Sequence, residues 1–117
     1  MRWIQLTDLA QLDELDSSSG SKPVLLFKHS TRCSISRAAL GRLEREWSVT
    51  DDASITAYFL DLLSFRSISN AIAERYSIEH ESPQALIVES GRCVQVSAHF
   101  GIDYADVKKA LAPPASL

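Results

Sequence analysis

Residues 24–40 read VLLFKHSTRCSISRAAL. Val24 to His29 follows Pro23 as an extended, largely apolar run, which predicts a strand. Beyond it, Ile35, Ala38, Ala39, Leu43 and Trp47 return at helical spacing, so the stretch closes as a helix. Cys33 lies at the seam, in a C-x-x-S arrangement with Ser36. A thiol at a helix start faces backbone N–H groups that have no intrahelical partner, together with the positive end of the helix dipole. Both favour the thiolate, the reactive form of cysteine. Arg32 and Arg37 flank the position and act in the same direction, as do Lys28 and His29 when charged. The competing reading of an isolated cysteine is a small, inert, buried side chain.

The chain is 117 residues long, enough for one domain with a real core, and is expected to be a single domain over 1–117. With 45% hydrophobic and 23% charged residues it has ordinary globular usage, which argues against disorder. A net charge of −3 argues against a nucleic-acid surface. No apolar run approaches the roughly 20 residues of a membrane span. The opening MRWIQLTD reaches Asp8 too early to hold a signal-peptide core. Cys33 and Cys93 are 60 residues apart and form no zinc pattern. The three histidines are scattered at 29, 80 and 99, so no metal site and no tightly bound cofactor is expected. Cysteine usage fits a reducing, cytoplasmic setting.

Taken in order, Trp3–Leu6 predicts a first strand. Thr7 is a candidate N-cap for a helix bearing Leu9, Leu12 and Leu15 on one face through Asp16. Residues 17–21, SSSGS, form a surface loop. The Cys33 helix runs to about Trp47 and is broken at Thr50-Asp51-Asp52. Ile55–Leu62 is a third strand, rich in β-branched and aromatic residues. Ser67–Tyr76 is a third helix, with Ile68, Ile72 and Tyr76 on one face. After a turn at His80–Pro83, Gln84–Glu89 and Cys93–Ala98 pair as a hairpin around Ser90-Gly91-Arg92. Asp103 caps a last helix to about Leu111, ended by Pro113-Pro114. The order βαβαβαββα implies an α/β fold with a mixed central sheet and helices on both faces.

That order, the C-x-x-S after the second strand, and a proline 50 residues further on before a hairpin together resemble the thioredoxin fold over nearly the whole chain. The run HSTRCSIS, with SPQALIV and the SGR hairpin, more narrowly resembles the YtxJ-type monothiol bacilliredoxins, small bacterial proteins that work with bacillithiol. The resemblance implies a thioredoxin-like three-layer sandwich. It also implies a thiol-disulfide oxidoreductase that takes a low-molecular-weight thiol off proteins carrying mixed disulfides. By it, Pro83 is a cis-proline facing Cys33, and the Ser82 backbone pairs with a bound thiol substrate.

Two positions depart from ordinary thioredoxins. Ser36 replaces the resolving cysteine, and Phe27, six residues before Cys33, replaces a buried acid; both changes fit single-thiol chemistry. Ser36 can donate its hydroxyl to the Cys33 sulfur, or it can simply bond backbone at the helix start. If the fold holds, Cys93 begins a strand at the far end of the sheet. Six strand residues span about 20 Å, whereas bridged Cα atoms lie about 4.4–6.8 Å apart. An internal bridge is therefore excluded and Cys93 is filler. The same geometry returns His99, Gly101 and Asp103 to the Cys33 end, where Gly101 and Asp103 resemble the turn that holds the small thiol in glutaredoxins. Thr31 and Arg32 complete the expected substrate-binding set, Arg32 as a contact for carboxylates such as those of the bacillithiol malate.

Two rival readings remain. An iron–sulfur protein like the monothiol glutaredoxins would carry C-G-F-S where this chain has Cys33-Ser34-Ile35-Ser36, and the purified protein would be coloured. A non-enzymatic adaptor with an inert cysteine would show no enhanced alkylation of Cys33.

Overall fold

The computed structural model describes residues 1–111. Its strands are β1 (Trp3–Gln5), β2 (Val24–His29), β3 (Thr56–Asp61), β4 (Gln84–Glu89) and β5 (Arg92–Ala98). Its helices are α1 (Gln11–Ser18), α2 (Ser34–Glu46), α3 (Val49–Ser54), α4 (Arg66–Tyr76) and α5 (Tyr104–Leu111). A 3-10 turn, His99–Gly101, precedes α5. Pro113-Pro114, expected to end α5, lies outside the described residues.

The sheet order is β1-β3-β2-β4-β5. The first three strands of that order run parallel, while β4 is antiparallel to β2 and β5 to β4. β2 is central and all six of its residues are buried, which is why it reads as a continuous run rather than an alternation. Its side chains still alternate between faces. Val24 and Leu26 pack with Leu12 and Leu15 of α1 and with Ile68 and Ile72 of α4. Leu25 and Phe27 pack with Ala39 and Leu43 of α2 and with Val107 of α5. The expected three-layer α/β architecture is thus present, with helices on both faces.

Three local expectations are corrected. Thr7 does not cap α1, which begins only at Gln11. Instead the Gln11 side-chain carbonyl accepts the N–H groups of Thr7 and Asp8, at 2.7 and 3.0 Å. Leu9 is consequently outside the helix and half exposed. Thr50-Asp51-Asp52 does not merely interrupt a helix but lies inside α3, started by a reciprocal capping box between Ser48 and Asp51. The S-x-x-D spacing of that box was present in the sequence.

Asp51 also joins distant parts of the chain. It is buried, and its carboxylate accepts from Lys108 Nζ at 2.6 Å and from the Tyr104 hydroxyl at 2.7 Å, which anchors α5 to α3. Burial alone would raise its pKa, but hydrogen bonds from Lys108, Ser48 and Tyr104 hold it down to about 2. A carboxyl depressed on folding contributes stability above its unfolded pKa and loses it as the pH falls through the folded value. Asp51→Asn should therefore lower unfolding free energy near neutral pH by roughly 2–3 kcal/mol, the scale of hydrogen bonds to charged groups. It should also flatten the loss of stability between pH 3.8 and about 2. Urea titrations of both proteins across that range check this; parallel acid limbs would refute it.

Candidate functional site

The candidate site lies where β2 gives way to α2. Cys33 is the N-cap residue of α2, extended at φ −107° and ψ 120°, and half-buried. Its N–H donates to the Ser30 carbonyl at 3.2 Å, and its carbonyl accepts from Arg37 N at 3.1 Å. The turn carrying Thr31 and Arg32 is held from outside by Arg37 Nη1, which donates to the Thr31 carbonyl at 2.9 Å. The Cys33 side chain takes no capping hydrogen bond. Its sulfur sits at a helix start whose first N–H groups have no intrahelical partner.

Ser36 is fully buried one turn into α2. Its Oγ accepts from Ser30 N at 3.0 Å and lies 2.7 Å from His29 Nδ1. Of the two roles open to this hydroxyl, the backbone bond is the one present, on the inner side of the turn. There it closes the Ser30–Ser36 loop and satisfies a buried imidazole. His29 stacks on Phe27 and tilts against Phe59, with centroids 6.0 and 5.3 Å away. Burial pushes its pKa down, opposed by Asp61 and reinforced by Arg37. Burial thus favours the neutral imidazole, against the charged form in which His29 was expected to help the thiolate.

Lys28 points to the opposite face of β2 and is fully buried. Its Nζ donates to the Ser69 carbonyl of α4 at 3.1 Å and lies 3.3 Å from His80 Nδ1. The Ser69 hydroxyl meets the same imidazole nitrogen at 3.2 Å. The lysine thereby ties α4 to the loop that leads into the Ser82–Pro83 bond. Its charge is spent on this link rather than on the thiol.

The Ser82–Pro83 peptide is cis, as the family resemblance implied. Pro83 is buried immediately before β4, whose Gln84 pairs with Lys28 near the end of β2, so Pro83 and Cys33 share one end of the sheet. Gln84 Nε2 donates to the Glu79 carbonyl at 2.9 Å and shapes this loop. The Pro83 carbonyl accepts from His99 N at 3.1 Å, which brings the turn containing Gly101 to the same end. Asp103 is placed differently. Its carboxylate caps α5 by accepting from Asp106 N, and it lines a cavity of about 300 Å³ with Arg42, Arg45 and Tyr104 along the flank of α2. Arg42 is nine residues past Cys33, about 13 Å along a helix. Asp103 is thus not gathered with Thr31 and Arg32.

Those two residues line another cleft, of about 420 Å³, beside the Cys33 turn, together with Asp61, Leu63, Ser64 and Arg66. Asp61 and Arg66 escaped the sequence reading. The available signal was that the loop after β3 leaves the sheet at the same end as the loop after its parallel neighbour β2.

Cys93 is far from this end. It pairs with Val88, which pairs with Val24 at the opposite end of β2. Burial raises its pKa, so it is a weak nucleophile as well as a remote one. Both cysteines are free thiols. Among the described residues no helix is long and apolar enough to cross a membrane, and no group of His, Cys, Asp and Glu could hold a metal ion.

A mixed sheet with a lone thiol at a helix start, at the same end as a cis-proline, places the chain in the class of thioredoxin-fold thiol redox proteins. It belongs to the monothiol bacilliredoxin BrxC family, whose model matches residues 4–107. Among solved structures it is similar to a thioredoxin-fold protein provisionally described as an oxidoreductase. That match has 26% identity over 94% of each chain and a TM-score of 0.81. Its fold is shared with the thioredoxin of Malassezia sympodialis, at 14% identity, 95% of this chain, 88% of that one and a TM-score of 0.73. It is likewise shared with thioredoxin f of spinach chloroplast, at 15% identity, 94% and 90% coverage and a TM-score of 0.69.

Burial lowers the Lys28 pKa from 10.5 to about 8. Between these values the unfolded chain binds more protons than the folded one, so this group makes stability rise with pH across that window. Lys28→Met should remove the rise. Unfolding free energies measured from about pH 8 to 10.5 check it; the same slope in both proteins would refute the buried-lysine account.

Proposed function

We propose that this protein is a monothiol thiol-disulfide oxidoreductase of a reducing, cytoplasmic compartment. Its reaction removes a low-molecular-weight thiol, bacillithiol, from protein mixed disulfides through Cys33. One observation carries the reading: the active end of the sheet holds a single sulfur. Ser36 stands where a second thiol would be and is bonded inward to His29 and Ser30, while Cys93 lies about 20 Å of strand away.

The chemistry follows in two balanced steps. The Cys33 thiolate attacks the small-thiol sulfur of the mixed disulfide. A new S–S bond forms on Cys33, the old one breaks, and the protein substrate leaves as thiolate. An external small thiolate then attacks the adduct, releasing Cys33 and a small-molecule disulfide. Cys33, as its thiolate, serves as nucleophile in the first step and as leaving group in the second. The Ser82 backbone beside cis-Pro83 pairs with the bound thiol substrate, and Ser36 acts as a positioning residue for the Cys33 turn. Phe100, 75% exposed in the turn held against Pro83, offers an apolar contact to a protein partner.

Exposure to oxidised bacillithiol and, in parallel, to oxidised glutathione should add one small thiol per chain, on Cys33, as read by intact mass. Cys33→Ser should abolish both the adduct and de-thiolation of a model protein. Cys93→Ala should leave the rate within about two-fold, since its surroundings are remote from the site. An internal Cys33–Cys93 disulfide in the monomer would overturn the monothiol mechanism.

A further inference from the structure

The cleft beside the Cys33 turn is framed by two chain segments that leave the same end of the sheet. Thr31 and Arg32 come from the β2–α2 turn; Asp61 ends β3, Leu63 and Ser64 follow in the β3–α4 connection, and Arg66 opens α4. The segments are locked together. Leu62 N donates to the His29 carbonyl at 3.0 Å, and Ser64 N and Phe65 N donate to the Asp61 carbonyl at 3.2 and 3.0 Å. The cleft is therefore a fixed feature of the fold rather than a gap between loose loops.

Its polar lining is unbalanced in charge. Arg32 and Arg66 are both exposed, and among the described residues neither is engaged in an ion pair. The single acid, Asp61, offsets only one of them: its Oδ2 accepts from the Ser64 hydroxyl at 3.0 Å and its Oδ1 is buried without a partner. Two guanidinium groups thus line, against one carboxylate, a cleft of about 420 Å³ beside the turn that leads into Cys33. Guanidinium groups present planar, paired donors that match carboxylates. By contrast, the cavity containing Asp103 sets Glu46 and Asp103 against Arg42 and Arg45, so its charges cancel.

We propose that Arg32 and Arg66 form the subsite for the carboxylate end of the small thiol, so that the enzyme selects low-molecular-weight thiols bearing carboxylates away from the sulfur. This rests on the small-thiol exchange proposed for Cys33 and assigns its specificity to a residue of α4 that no motif around Cys33 contains. Arg66 is a binding residue here, and it acts on which small thiol is accepted rather than on the sulfur chemistry.

The test uses the full chain and three small disulfides: neutral hydroxyethyl disulfide, oxidised glutathione and oxidised bacillithiol. In each reaction the Cys33 thiolate forms a mixed disulfide and releases one small thiolate, and the rate is followed by intact mass. The informative quantity is the ratio of the rate with a carboxylate-bearing disulfide to the rate with the neutral one. That ratio cancels any change in the nucleophilicity of Cys33. Arg66→Ala should lower it by about five-fold, the scale of losing one exposed ion contact, and Arg66→Lys should restore most of it. Arg32→Ala should lower it similarly, and raised salt should lower it in the parent protein. A ratio in Arg66→Ala within about two-fold of the parent would overturn the subsite. Failure of the parent to react with any of the three disulfides would instead overturn the exchange chemistry on which it rests.

Discussion

The arrangement depends on how a buried imidazole at the end of β2 finds its hydrogen-bond partner. His29 is 5% exposed and packed among aromatic rings, where an unpartnered ring nitrogen would be costly. Ser36 supplies that partner at 2.7 Å and in the same geometry takes the Ser30 N–H. For this to happen the chain must turn back on itself between Ser30 and Ser36. The turn leaves Cys33 at the N-cap of α2, half-buried, between strand and helix. The serine of the C-x-x-S motif is therefore a reason why the cysteine is where it is.

The central strand imposes a second demand of the same kind on its other face. Lys28 is buried without a carboxylate and is satisfied by a backbone carbonyl of α4 and by His80. Consecutive residues of one strand thus reach through the two helical layers in opposite directions. His29 fixes the turn that carries the thiol, and Lys28 fixes the loop that carries cis-Pro83. Both sides of the candidate site are positioned from β2, which joins the Cys33 end of the sheet to an otherwise ordinary apolar core.

The loop after β3 completes the site from a third direction. Because β3 runs parallel to β2 and beside it, Asp61 comes into register with His29, and the chain beyond it opens next to Thr31 and Arg32. The opposite end of the sheet is closed differently. There the Ser90-Gly91 turn, with both residues at positive φ, is tied to the end of α1 through Ser19. Cys93 lies at this end by strand register, remote from Cys33.

The sequence by itself determined the alternation of strands and helices apart from α3, the placement of Cys33 at a helix start and the hairpin, because these rest on local periodicity and turn chemistry. Val24–His29 reads as a strand and Ile35–Trp47 as a helix whatever surrounds them. The remoteness of Cys93 also followed once the strand order was assumed, since strand rise is constant. Helix starts were less legible. Thr7 looked like a cap, but the Gln11 side chain took the neighbouring N–H groups and delayed α1. The tertiary structure alone decided the partners of polar side chains. Ser36 could face the sulfur or the interior, and packing of His29 against Phe27 and Phe59 set the choice. Lys28 gave no sign of burial, because its environment is made by residues about 40 and 50 positions away. Arg66 and Arg32 are 34 residues apart and meet across one cleft because β2 and β3 are neighbours. Periodicity reports which face a residue occupies, but only the folded chain says what it meets there.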